Sequence, residues 1–209
     1  MTTTFRKHDI KSSKTGRSLN ITLCDVYGLT DEADVNNDDL TLLVEGNIKD
    51  KYKFKQSRPI TPEDPSYIAT PEFRDKIHCV VFVCDATTIA EYSGHCLTDF
   101  NKLMQHMCGE DVPKAVVLTK IDELSKCLDP DLSTVFQNRK AREAVELAAT
   151  IFGVPRCYIH PVKNYEKETY LKEKISCLAL MALDHIIGYA DDFLRNNPPH
   201  NQNDVNETG

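Results

Sequence analysis

The chain has 209 residues and a mass of 23.7 kDa, enough for one α/β domain with a sizeable core and short for two. Its formal net charge of -7, with 41% hydrophobic and 27% charged residues, is that of an ordinary soluble protein and disfavours broad binding to nucleic acid or anionic membranes. The eight cysteines form no C-x-x-C pair, residues 1–14 hold no apolar signal core, and no stretch is apolar enough to span a bilayer, so reduced thiols in a cytoplasmic protein are expected.

Residues 4–11 and 18–25 alternate as strands around Ser12-Ser13-Lys14-Thr15-Gly16-Arg17, which predicts a hairpin. The second strand ends in Asp25-Val26-Tyr27-Gly28, and an acidic loop follows to Asn37. Residues 38–48 predict a short helix with Leu40, Leu43 and Val44 on one face. From 51 to 71 the prolines at 59, 62, 65 and 71 exclude regular structure over most of the span. A loop of that length is expected to be either functional or partly disordered.

Residues 77–84 form the strongest apolar run, a strand expected to be buried on both faces and to end at Asp85. A helix is predicted over 93–108, stopped by Gly109. Then comes Lys114-Ala115-Val116-Val117-Leu118-Thr119-Lys120-Ile121-Asp122, a buried strand that turns polar at its end. Residues 133–152 predict an amphipathic helix closed by Gly153, and 157–159 a short strand running into His160-Pro161-Val162-Lys163-Asn164. A long helix over 170–195 presents Leu171, Ile175, Leu178, Ala182 and Ile186 on its apolar face. Residues 1–195 thus read as one domain and 196–209 as a disordered tail. The alternation of strand and helix from residue 77 predicts a doubly wound, mostly parallel α/β sheet.

Three loops therefore stand at strand ends: Asp25-x-x-Gly28, Thr119-Lys120-x-Asp122 and His160 to Asn164. In open parallel sheets that is where ligands bind. A carboxylate at such a position offers two parallel acceptors. Each loop also has a plainer reading, since aspartate followed by glycine is common turn chemistry and a polar turn after a strand is often only solvated. Asp85 reads as a polar strand terminus and His78 as a core histidine with its hydrogen bonds satisfied.

The order and spacing of these loops resemble the later nucleotide motifs of the P-loop GTPases. That resemblance implies that Asp25 helps hold Mg²⁺ and that the amide of Gly28 approaches the terminal phosphate. It further implies that Asp122 accepts from guanine N1 and N2, that the stem of Lys120 lies along the base, and that Lys163 and Asn164 lie in the loop offering a backbone N–H to the guanine carbonyl. Thr119 stands where many members carry asparagine. No Gly-x-x-x-x-Gly-Lys-[Ser/Thr] occurs, which removes several hydrogen bonds to phosphate at about 1.5–3 kcal/mol each. GTP or GDP with Mg²⁺ is therefore expected to bind only weakly. Leu29 follows Gly28 where Ras-like members place a water-orienting glutamine, so hydrolysis by that route is unsupported.

Five phrases together resemble the interferon-inducible protein 44 family of vertebrates. They are Leu23-Cys24-Asp25-Val26-Tyr27-Gly28-Leu29, Gly46-Asn47-Ile48-Lys49-Asp50, Lys76-Ile77-His78-Cys79-Val80, Val116-Val117-Leu118-Thr119-Lys120-Ile121-Asp122 and Tyr189-Ala190-Asp191-Asp192-Phe193-Leu194. The resemblance implies a cytoplasmic protein of the innate antiviral response. Its fold would be a P-loop GTPase-like, three-layer, doubly wound sheet, N-terminally truncated so that the first strand and phosphate loop are absent. Strand edges left open by that loss would require closure of the sheet or a strand from elsewhere. Two alternatives stand beside guanine-nucleotide recognition: a non-enzymatic scaffold with unidentified protein partners that binds no nucleotide, and a fragment of an active GTPase.

Overall fold

In the computed structural model, which describes residues 4–26, 37–55, 58–91, 112–126, 128 and 131–198, the chain divides into two units. The first comprises residues 1–77 and 94–110, the second residues 78–93 and 111–209.

The first unit opens with the predicted hairpin. Strands β1 (Arg6–Lys11) and β2 (Ser18–Asp25) pair antiparallel from Arg6↔Asp25 to Lys11↔Ser18, with an irregularity between Asp9 and Lys11. The turn closes through the Gly16 N–H donating to the Ser12 carbonyl at 2.8 Å. Helix α1 (Asn37–Val44) ends earlier than predicted, and the chain leaves it through Gly46 at φ 87°. A Cβ at Gly46 would stand 2.8 Å from the backbone carbonyl carbon of Asp75, so both the left-handed conformation and the close approach call for glycine.

Phe5, Leu43, Ile48, Tyr52 and Ile60 form the core of this unit, with Phe54, Tyr67 and Ile77 packed around it. The proline-rich span is irregular, as expected, yet it is packed. Asn47 Nδ2 donates to the Ile68 carbonyl at 2.8 Å and Lys49 Nζ to the Pro65 carbonyl at 2.7 Å. The carboxylate of buried Asp39 accepts from the Ile60 N–H at 2.8 Å. Burial pushes the Asp39 carboxyl up, and the Ile60 bond opposes that shift. These bonds supply the backbone partners that a loop without ladders lacks.

The second unit is a three-stranded parallel sheet in the order β3-β4-β5, formed by β3 (Val80–Asp85), β4 (Lys114–Thr119) and β5 (Ile159–Pro161). The central strand β4 carries the fully buried Ala115, Val116 and Leu118. Full burial of a valine or leucine side chain stabilises by roughly 1.5–3 kcal/mol. The expectation for β3 is corrected in two respects: the strand starts at Val80, and Val83 is 66% exposed. Among the described residues β3 pairs with β4 alone, and the exposed Val83 alternates with buried Phe82 and Cys84, so one face of the strand is covered and the other is open at Val83.

Helix α2 (Arg139–Phe152) is shorter than the predicted 133–152. Asp131 and Asn138 explain the difference, because short polar side chains that bond nearby N–H groups start and stop helices. Asp131 accepts from the Ser133 N–H and fixes a 3-10 turn over Leu132–Thr134; Asn138 then accepts from the N–H groups of Lys140 and Ala141 and caps α2. Ala141, Ala144, Ala148 and Phe152 form its buried stripe, and the Phe152 ring lies 5.4 Å from that of Phe82 on β3. Gly153 ends the helix at φ 61°.

The strand predicted over 157–159 is displaced. A 3-10 turn begins after Pro155 and takes Arg156–Tyr158, and β5 follows. Helix α3 (Glu173–Asn196) buries Ile175, Leu178 and Ala182, whereas Leu171 precedes the helix and is 83% exposed, which removes it from the predicted face. The Tyr165 hydroxyl fastens the start of α3, donating to the Lys172 carbonyl at 2.9 Å and accepting its N–H at 2.8 Å. His78 is half-buried with its ring 6.2 Å from Phe193 on α3. Cys24, Cys79, Cys84, Cys157 and Cys177 are free thiols. None of the described helices is long and apolar enough to cross a membrane. The acidic loop after Tyr27, the helix predicted over 93–108 and the tail from 199 lie outside the described residues.

Candidate functional site

The carboxyl ends of three parallel strands gather the polar residues of the second unit. In the β3–β4 register Asp85 stands opposite Thr119, so the residue after Thr119 faces a carboxylate. Lys120 takes φ 55°, a left-handed conformation that costs a side-chain-bearing residue about 1–2 kcal/mol. Its Nζ lies 2.6 Å from Asp85 Oδ2, and its carbonyl accepts from the Glu123 N–H at 3.0 Å. Backbone strain held in place by surrounding bonds is characteristic of functional sites.

Asp85 is fixed in turn by Thr87, whose N–H and hydroxyl donate to Oδ1 at 2.9 and 2.7 Å. Burial raises the Asp85 carboxyl, but the bonds from Lys120 and Thr87 outweigh it and the net shift is downward; the same bond raises Lys120. Thr119 braces the sheet by donating its hydroxyl to the Cys84 carbonyl at 3.0 Å.

The left-handed turn at Lys120 leads into a 3-10 turn over Ile121–Leu124, which buries both Ile121 and Asp122. Asp122 is 9% exposed and Lys163 7%, and Lys163 Nζ lies 2.7 Å from Asp122 Oδ2. Glu168 Oε1 stands 3.6 Å from the same ammonium. The Asp122 bond comes first among the causes that raise Lys163. Glu168 sits at about 2, held down chiefly by the Glu166 N–H. Two backbone bonds tie this loop to the strand end, Val162 N–H to the Leu118 carbonyl at 2.8 Å and Ile121 N–H to the Val162 carbonyl at 3.3 Å.

Four of the residues singled out from the sequence are therefore brought together: Thr119, Lys120, Asp122 and Lys163. Asn164 follows them at the surface. Asp25 ends β2 in the first unit, exposed and in register with Arg6, and Gly28 lies outside the described residues. Among the described residues no three His, Cys, Asp or Glu side chains converge as a metal site.

No family model matches the chain, and no solved structure matches it. It is 30% identical over 95% of its length to human interferon-induced protein 44-like and 30% identical over 93% to human interferon-induced protein 44. The mouse interferon-induced protein 44 is 29% identical over 93% of the chain. The chain belongs to the interferon-induced protein 44 family. It spans less than half the length of these relatives, 44% of each human one and 46% of the mouse one.

Three features of this family member's site escaped the reading of the sequence. Asp85, read there as a plain strand terminus, is the ion-pair partner of Lys120; the signal was present in the parallel register, since two strands ending at Asp85 and Thr119 place the next lysine beside the carboxylate. Lys163 was expected to matter through its loop backbone, whereas its side chain holds the base-reading candidate Asp122. Glu168 carried no sequence signal, because only the fold of the loop after β5 sets it near Lys163.

Proposed function

We propose that this interferon-induced protein 44 family member recognises guanine nucleotides with a P-loop GTPase-like fold in the innate antiviral response, in the cytoplasm, and that it does so weakly and without efficient hydrolysis. The observation that carries the reading is the convergence of Thr119, Lys120, Asp122 and Lys163 at the carboxyl end of the parallel sheet. Asp122 and Lys163 supply the polar contacts to the base, and the stem of Lys120 supplies an apolar wall beside it. Mg²⁺, when bound with the phosphates, neutralises their charge.

One observation favours a second reading, a scaffold that binds no nucleotide: the Asp122 carboxylate already has an internal partner in Lys163. Titration of ribose-labelled GTP, GDP, ATP and XTP against the wild type and Asp122→Asn separates the two. Nucleotide recognition gives a guanine preference over adenine in the wild type that moves toward xanthine in the variant. Equal or undetectable binding of all four establishes the scaffold reading instead.

A further inference from the structure

The ribbon of β1 and β2 has two edges that differ. On the β1 side the Lys7 N–H donates outward to Asp50 Oδ1 at 2.8 Å, and Phe5, just before the strand, donates to the Tyr52 carbonyl at 2.8 Å and accepts from the Lys51 N–H at 2.9 Å. Lys7 stands opposite Cys24, and Asp9 opposite Thr22. In an antiparallel strand the N–H and C=O of a residue leave on the same side, and that side alternates along the chain. Because Lys7 turns away from β2, Cys24 and Thr22 turn their main-chain groups away from β1. Among the described residues no strand lies on that side of β2 and no hydrogen bond reaches those four groups.

Side chains leave the same edge unguarded. Sheet edges are usually blunted by charge or proline. β1 carries Arg6, Lys7 and Lys11, whereas β2 has no Lys, Arg or Pro and its one charge is Asp25, the last residue. Leu19 and Leu23 are each 48% exposed. Asn20 takes φ 56°, and β1 is irregular across from it, between Asp9 and Lys11, so the regular edge runs over residues 21–25.

We infer that β2 pairs edge to edge with β2 of a second copy of this chain, antiparallel about a twofold axis at Leu23. In that register Thr22 faces Cys24 of the copy and Cys24 faces Thr22, so every outward group finds a partner. Leu23 meets its own copy, and Asp25 lies across from Ile21, so no like charges are opposed. An axis at Thr22 would instead draw in Asn20, whose left-handed backbone leaves the ladder. An edge this neutral matches another neutral strand and selects neither a basic nor an acidic one, and the twofold axis makes each contact twice. Five residues from each side bury less than the roughly 1,200 Å² of a stable interface, so the dimer is weak and dissociates on dilution.

Sedimentation velocity of the full chain, from a few micromolar to a few hundred micromolar, is expected to pass from monomer to dimer. Leu23→Lys sets two ammonium groups face to face on an exposed surface and leaves a monomer throughout. Thr22→Pro removes an outward N–H and spares the bonds to β1; its loss at two symmetric places weakens association about tenfold or more. The Cα atoms of a non-hydrogen-bonded pair stand about 4.5 Å apart, within disulfide reach, so Leu23→Cys under mild oxidation gives a dimer linked through position 23, and Ile21→Cys gives none linked through position 21. A chain that stays monomeric at every concentration overturns self-pairing and leaves the edge to a strand of another protein. A dimer that Leu23→Lys leaves unchanged lies elsewhere on the surface and overturns it equally. Should Thr22→Pro not fold, the two Leu23 variants decide.

Discussion

Replacing Lys163 by methionine keeps most of the side-chain volume and removes only the ammonium, which leaves the buried Asp122 carboxylate without its ion-pair partner. The Lys163 and Asp122 side chains are 8% and 10% exposed, so water screens the pair little, unlike a surface ion pair. Removing one partner of a buried pair costs about 3–5 kcal/mol. With a urea m-value of roughly 2–3 kcal/mol per molar, the unfolding midpoint falls by about 1–2 M. The double variant Asp122→Leu with Lys163→Met recovers most of that loss, because two apolar groups leave no uncompensated charge.

The pH dependence has a definite sign. The folded-state pKa of Lys163 is raised by Asp122, so the contribution of the pair is complete below the unfolded lysine value of about 10.4 and disappears as pH rises through the folded value above it. The gap between wild type and variant is therefore constant from pH 7 to 9 and narrows in strong alkali. Urea unfolding followed by circular dichroism measures it. A midpoint shift under about 0.3 M, the size of a solvent-exposed pair's contribution, refutes the buried-pair account.

Gly46→Ala is expected to lower stability by about 1–3 kcal/mol, since the new methyl meets the Asp75 backbone at 2.8 Å and the residue is held at φ 87°. A thermal midpoint within 1 °C of the wild type, on a scale of roughly 2–4 °C per kcal/mol, would refute the contact. His160 on β5 is buried, its Nε2 has no hydrogen-bond partner, and its ring lies 5.3 Å from that of His185 and 6.1 Å from that of Tyr189. Burial, and then the neighbouring His185, lower its folded pKa. Its contribution is thus present above about pH 6.5 and is lost as pH falls toward the folded value, with a slope of up to about 1.4 kcal/mol per pH unit. Urea midpoints from pH 7.5 to 5 in wild type and His160→Phe check this, and an identical decline in both proteins contradicts it.

Much of the fold was legible because it is written in local chemistry. The alternation of residues 4–11 and 18–25 around Gly16 defined the hairpin, and the apolar run from Lys114 to Leu118 defined the central strand. Periodicity failed where a side chain acts on its own backbone. Asn138 caps α2 inside the predicted helix by a side-chain hydrogen bond, an event of one residue that a pattern averaged over several turns does not register; the backbone 3-10 turn after Pro155 likewise displaces β5.

The sequence by itself determined the strand ends and the residue types placed there, because burial forces an apolar run to terminate where polar groups begin. It thereby determined that Thr119, Lys120 and Asp122 share a loop. Only the tertiary structure decided which charges neutralise which. Asp122 and Lys163 are 41 residues apart, and Asp85 and Lys120 are 35. Parallel register converts those separations into ion pairs, and burial decides which face of β3 is open, leaving Val83 exposed. Sequence spacing encodes faces and turns along one element, whereas the partner of a buried charge depends on the strand laid beside it.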